Sequence, residues 1–226
     1  MENKQLKRKI GNAAKWSSVT EILAKIIAPI TNMILARLLA PEAFGVVATV
    51  SMIISFVDMF TDAGFQKYLI QHEFANEKEK EQSTNVAFLT NLVISLLLWL
   101  SIIIFRNPIA NIVGNPGLGN VIAIACIQLP LTSFSSIQMA LYKRDFDFKT
   151  LFVARTVYAV IPLIITIPLA IAGFNYWALI IGAISGQASN AIILTIRSKW
   201  KPSSFYSLSL LKDMFAFSMW TLLEAI

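Results

Sequence analysis

The chain has 226 residues, 56% of them hydrophobic and only 14% charged, and its mean hydropathy is +0.66. Soluble domains run near ~45–50% apolar and ~25% charged, so the composition argues against a soluble globular domain and for a bilayer as solvent. The net charge of +6 would point to nucleic acid in a soluble protein, but the basic residues fall between apolar segments, so nucleic acid is dropped as a partner.

Residues 1–15 form a basic N-terminus with Lys4, Lys7, Arg8, Lys9 and Lys15. It precedes an apolar run as a signal peptide does, but Glu21 and Lys25 interrupt that run and no small-residue cleavage site follows. It reads as a retained first helix. Six complete apolar segments follow at about 16–40, 43–64, 84–105, 120–142, 150–172 and 175–197, and each is long enough for a span of ~20 residues. In "ILARLLAPEAFGVVATV" (Ile34–Val50), Pro41 reads as the turn between the first two, with Arg37 snorkelling at the end of the first. The third loop, "RNPIANIVGNPGLGN", reads as a short interfacial turn. A cytoplasmic linker begins at residue 198. A seventh apolar segment starts near Lys212 and is cut short at Ile226, so 198–226 reads as linker plus a truncated seventh segment.

Most of the 19 Lys and Arg residues fall on one side of this layout. The N-terminal group is joined there by Lys67, Lys78 and Lys80, by Lys143, Arg144 and Lys149, and by Arg197, Lys199, Lys201 and Lys212. The positive-inside rule then makes the N-terminus cytoplasmic. Cys126 is the single cysteine and His72 the single histidine, so neither an intrachain disulfide nor a histidine-built metal cluster is available.

The spans carry polar stripes. At 100° per residue, Ser18, Glu21, Lys25, Pro29 and Asn32 share one face of the first. Ser51, Ser55, Asp58 and Asp62 do so in the second, and Thr84, Asn91 and Ser95 in the third. Gln128, Thr132 and Ser135 align in the fourth, and Arg155, Pro162 and Thr166 in the fifth. Lys25 would lie roughly 14 Å deep, where a charge costs about 2.5–3.5 kcal/mol on insertion scales. Glu21, four residues earlier, offers it an ion pair. Two readings stand: a structural lock, or the wall of a wet cavity. Asp58 and Asp62 read either as a solvated helix end or as a proton or cation site. Arg155 either snorkels or meets an anionic headgroup, since guanidinium matches phosphate geometry. Pro29, Pro130, Pro162 and Pro168 allow kinks that suit a rocking bundle and also occur in static ones. Gly182 and Gly186 form GxxxG, a close-packing motif.

Enzyme chemistry finds little support. "KRDFDFK" (Lys143–Lys149) has the D-x-D spacing with which many glycosyltransferases hold a nucleotide-sugar metal, but no domain accompanies it to bind a nucleotide. Neither a hydrolase triad nor a phosphate-cradling glycine loop is present. The reading is a non-enzyme with no cofactor and no metal site.

"LARLLAPEAFGVVA", "DAGFQKYLIQ", "LYKRDFDFK", "GFNYWALIIG" and "KWKPSSF" follow one another in this order. Together they resemble the polysaccharide exporters, the flippases of lipid-linked O-antigen, exopolysaccharide or teichuronic-acid units in the MATE-like MOP superfamily. The resemblance covers essentially the whole chain. It implies an all-α polytopic membrane helix bundle: six transmembrane helices plus a partial seventh, the N-terminal lobe of a MATE-like fold, in the bacterial inner membrane. It implies alternating-access export of undecaprenyl-pyrophosphate-linked oligosaccharide. The expected partners are that lipid-linked oligosaccharide, membrane lipids, a C-terminal lobe or second copy, and a glycan polymerase. Basic cavity residues are then expected at the pyrophosphate. Lys25, Asn32 and Arg155 are the substrate-binding candidates, chosen by depth and face, and Glu21, Asp58 and Asp62 the carboxylates for ion coupling. A multidrug or lipid II exporter of the same superfamily is the nearest rival. A non-transporting membrane scaffold for glycan assembly is the rival from another class.

Overall fold

The computed structural model describes residues 2–61 and 64–223, which form ten helices with no strand among them. α1 (Glu2–Leu38) is continuous through Pro29 and takes in the basic N-terminal residues. A break at Leu39 and Ala40 ends it, and α2 (Pro41–Thr61) starts on Pro41. Proline suits a first helical position, because its missing N–H would have no intrahelical partner there.

α3 (Phe65–Gln71) was not expected from hydropathy. It follows Gly64, whose φ of 81° suits a residue without Cβ. Its Phe65, Tyr68 and Leu69 share one buried face, the i, i+3, i+4 pattern of a short amphipathic helix. Burial pushes the Tyr68 phenol above its ordinary pKa.

α4 (Glu77–Ile104) is held at its start by a reciprocal cap. The Asn76 side chain accepts from the Glu79 amide at 2.9 Å, and the Glu79 carboxylate accepts from the Ala75 amide at 2.8 Å. Its 28 residues rise about 42 Å, so its charged first turns extend past a ~30 Å hydrocarbon layer. The third loop contains α5 (Arg106–Ile112) and a turn in which Gly114 and Gly117 have positive φ.

The fourth span is two helices, α6 (Gly119–Ala125) and α7 (Gln128–Arg144), broken at Cys126 and Ile127. Pro130 has no N–H for the carbonyl four residues back, at Cys126, which explains the break there. α8 (Phe148–Ile171) keeps Pro162 and Pro168 inside a continuous helix. A turn with Gly173 and Asn175 at positive φ leads to α9 (Tyr176–Arg197), and a linker leads to α10 (Leu208–Leu223).

Among the described residues, six helical stretches are long and apolar enough to cross a membrane: Lys15–Leu38, Pro41–Met59, Glu77–Ile104, Gly119–Arg144, Phe148–Ile171 and Tyr176–Arg197. The chain is an all-α polytopic membrane helix bundle. α8 and α9 are packed most closely, because a Cβ on Gly182 would collide with the Thr166 hydroxyl and one on Gly186 would come within 2.6 Å of Pro162 Cγ. α1 packs along α8, and α7 packs between α4 and α9. One apolar core joins α2, α4, α5, α6 and α9 through Val50, Ile53, Ile102, Ala110, Ile122 and Ile180. A second joins α3, α4, α7 and α10 through Phe65, Leu69, Val86, Ile137 and Met214.

The α4–α7 contact is also polar. Asn91 Nδ2 donates to Ser136 Oγ at 2.9 Å, and both residues are buried. The linker before α10 crosses α4, where the Ser203 amide donates to Asn85 Oδ1 at 2.9 Å.

The D-x-D pair is spent on structure. Asp147 caps α8, accepting from the Thr150 amide at 3.1 Å and from its hydroxyl at 2.7 Å. Asp145 lies 3.9 Å from Lys80 on α4. Just before the pair, Arg144 Nη1 donates to the carbonyls of Leu69 at 2.9 Å and His72 at 2.7 Å, closing the C-terminus of α3. Its guanidinium lies 4.6 Å from the centre of the Phe74 ring.

Candidate functional site

The candidate site is built around the first half of α8. Arg155 lies two turns into this helix, and Tyr158 lies one turn further along the same face. On one flank is a polar cavity of about 350 Å³. Its walls include Gln128, Thr132 and Ser135 of α7, Gln187 and Asn190 of α9, and Asp58 of α2. Gln187 Nε2 donates to Thr132 Oγ1 at 2.9 Å and lies 3.3 Å from Ser135 Oγ, so α9 and α7 are tied along that wall. Ser51 and Ser55 continue the polar lining along α2 in a smaller adjoining cavity that also takes in Gln128.

On the other flank, α1, α2, α8 and α9 enclose a groove of about 550 Å³. It is apolar, with Ile27, Leu35, Val47, Ala159 and Leu179 in its walls, and Asn32 and Thr31 are among its few polar residues. Arg155 and Tyr158 line both spaces. Arg155 Nη1 lies 3.8 Å from Glu21 Oε1 across the α1–α8 contact, with side chains 46% and 57% exposed. The arrangement suits a ligand with an apolar tail and a polar head, with a guanidinium where the two parts join.

Among the residues expected from sequence, Arg155, Asn32 and Asp58 line these spaces, and Glu21 is joined to them through its pair with Arg155. Lys25 is exposed on α1, one turn beyond Glu21, and no ion pair joins the two among the described residues. Asp62 lies outside the described residues.

Sequence reasoning passed over Tyr158, Gln187 and Asn190. The last two had a signal, since they lie three residues apart on a helix otherwise apolar and small. The GxxxG glycines beside them drew the reading of that span to packing alone.

The fold and the site define a multi-pass membrane protein whose spans enclose cavities. The chain belongs to the family of polysaccharide biosynthesis proteins, whose model matches residues 34–226. It is 26% identical over 206 residues to the succinoglycan biosynthesis transport protein ExoT of Rhizobium meliloti (strain 1021), covering 90% of this chain and 41% of that one. It is 20% identical over 227 residues to the lipopolysaccharide biosynthesis protein WzxC of Escherichia coli (strain K12), covering 98% of this chain and 44% of the relative. An uncharacterized membrane protein in the cps region of Klebsiella pneumoniae is 21% identical, over 98% of this chain and 45% of its own. This chain therefore spans less than half the length of each of these relatives. No solved structure gives a significant match.

Proposed function

We propose that this chain is the N-terminal lobe of a flippase that carries an undecaprenyl-pyrophosphate-linked oligosaccharide across the bacterial inner membrane, with its N-terminus and basic loops in the cytoplasm. The observation that carries the reading is the position of Arg155 between a polar cavity and an apolar groove. The glycan would occupy the polar space, where amide and hydroxyl groups suit sugar hydroxyls. The lipid would follow the groove, and the pyrophosphate would meet Arg155, whose planar fork can take two phosphate oxygens at once. The printed names of two relatives, one a succinoglycan transport protein and one a lipopolysaccharide biosynthesis protein, support the class of cargo. A second lobe, or a second copy, would close the open side of the groove and allow alternating access.

The scaffold reading draws on the α4–α7 contact, where polar residues serve as interhelical bonds. It gives no role to the cavity beside Arg155.

The test is Arg155→Gln in the intact exporter, with glycan export and membrane protein level measured together. Losing a charge-assisted phosphate contact of ~1.5–3 kcal/mol predicts at least about a tenfold fall in export at unchanged protein level. Arg155→Lys should keep part of the activity, as a cation without the planar fork. Normal export in Arg155→Gln would overturn the assignment. Lys25→Ala tests the other cation in the same way: lower export at normal protein level supports a cavity role, and loss of protein supports a structural one.

A further inference from the structure

We infer that Glu21 is an internal stand-in for the ligand's phosphate at Arg155, holding the guanidinium while the site is empty and giving it up when a phosphate arrives. The inference rests on the reading of Arg155 given above. Four observations carry it. First, Arg155 lies within a membrane-spanning stretch, where a lone charge is costly and calls for a counter-charge. Second, the counter-charge comes from a different helix at 3.8 Å, beyond hydrogen-bonding distance, and Arg155 makes no hydrogen bond to another described residue. A carboxylate in this position neutralises the guanidinium but leaves its N–H donors open to two phosphate oxygens. Third, both partners are about half exposed and Arg155 lines both cavities, so the pair can be reached by a competitor.

The fourth observation is what awaits Glu21 once it is displaced. Lys25 lies one turn along α1 and is exposed, in the favourable Glu-before-Lys order at i and i+4. Among the described residues Arg155, from the helix packed along α1, is the ion-pair partner of this carboxylate, and Lys25 is the next cation along α1 itself. A carboxylate released by Arg155 can swing to Lys25, so it is not left alone. Near this level α1 and α8 also meet through Trp16 and Phe152, whose tilted rings have centres 4.9 Å apart, and through Thr20, Leu23 and Ile27 beside Thr156 and Ala159.

The experiment measures binding of farnesyl pyrophosphate, with farnesol as the uncharged control, to the full chain in nanodiscs. Glu21→Gln should bind farnesyl pyrophosphate roughly two- to fivefold more tightly, the span set by a half-exposed ion pair, and should leave farnesol unchanged. A residue that merely braced the fold would weaken binding when removed. Should Glu21→Gln not fold, Glu21→Asp withdraws the carboxylate by one methylene and should give a smaller tightening. Unchanged or weaker pyrophosphate binding in the Glu21 variants, with weak binding in Arg155→Gln, overturns the stand-in and leaves the Arg155 assignment in place. Equal tightening for farnesol also overturns it, since the groove's shape would then be the cause. Full binding in Arg155→Gln overturns the Arg155 assignment itself, and the stand-in with it.

Discussion

The α4–α7 contact and the α1–α8 contact both take polar side chains into the bundle, and they use them in opposite ways. At α4–α7, Thr84, Asn91, Ser95, Ser135 and Ser136 are buried, and each hydroxyl or amide donates to a neighbour or to a carbonyl of its own helix. At α1–α8, Glu21, Asn32, Arg155 and Tyr158 are exposed, and the one charge pair among them is longer than a hydrogen bond. Polarity is common to both. The donors distinguish them: at α4–α7 each one is paired, although Asn91 Oδ1 is buried without a described partner, and a paired donor inside a membrane acts as glue, whereas a half-open one keeps capacity for a ligand.

The comparison predicts that substitutions on the closed side damage folding and that those on the open side damage binding. The largest effect should come from Gly182→Leu. Even a Cβ there meets the Thr166 hydroxyl and comes within 3.3 Å of the Pro162 carbonyl oxygen, so a leucine would force α8 and α9 apart. Overpacking of this kind costs about 3 kcal/mol or more, visible as loss of protein from the membrane and a lower thermal midpoint. A tolerated leucine would show that α8 and α9 can separate without loss of the fold. Arg144→Ala comes next. It removes the donor that closes α3 onto α7 and should cost about 2 kcal/mol. Faster proteolysis between Gln71 and Asn76 would report it, and unchanged cleavage would argue that α3 is held by its apolar face alone.

How much of this division was legible beforehand depended on the length scale of the signal. The spans were legible, since each needs only its own residues to be apolar. The stripes were legible as faces, but not which neighbour each face meets: Asn91 finds Ser136 on α7, whereas Arg155 finds the two cavities. The Glu21–Lys25 spacing suggested a local pair, while the fold brings Arg155 closer from a helix far along the chain. Hydropathy missed α3 because its seven residues are too few to stand out, although Phe65, Tyr68 and Leu69 already carry the helical spacing. The D-x-D motif resembles a metal site as a string, yet Asp147 is a helix cap, a role fixed by the turn at Phe146, where φ is 58°.

Two smaller effects refine the closed side. Asp147→Ala should cost about 1 kcal/mol as a lost cap, with Asp147→Asn restoring most of it in thermal unfolding. If Asn fails to rescue, the carboxylate charge near Lys80 and Asp145 matters more than the cap. The Asn91–Ser136 bond, measured by a double-mutant cycle with alanine at each position, should show a coupling of about 0.6 kcal/mol. A coupling near zero would leave the α4–α7 contact to its apolar residues and weaken the contrast with α1–α8.

The smallest effect on stability should be Asn32→Leu, and it separates the two sides most cleanly. Asn32 is exposed at the edge of the apolar groove and donates to no described residue. Exposed positions away from caps and networks usually change stability by less than ~0.5 kcal/mol, so the thermal midpoint should hold. The groove, by contrast, gains an apolar wall in place of an amide, so farnesol should bind more tightly to the variant than to the native chain. A fall in the midpoint as large as that of Asp147→Ala would place Asn32 in the packing between α1 and α8. The open side would then be a second closed contact, and its polar residues would need the same explanation as Asn91 and Ser136.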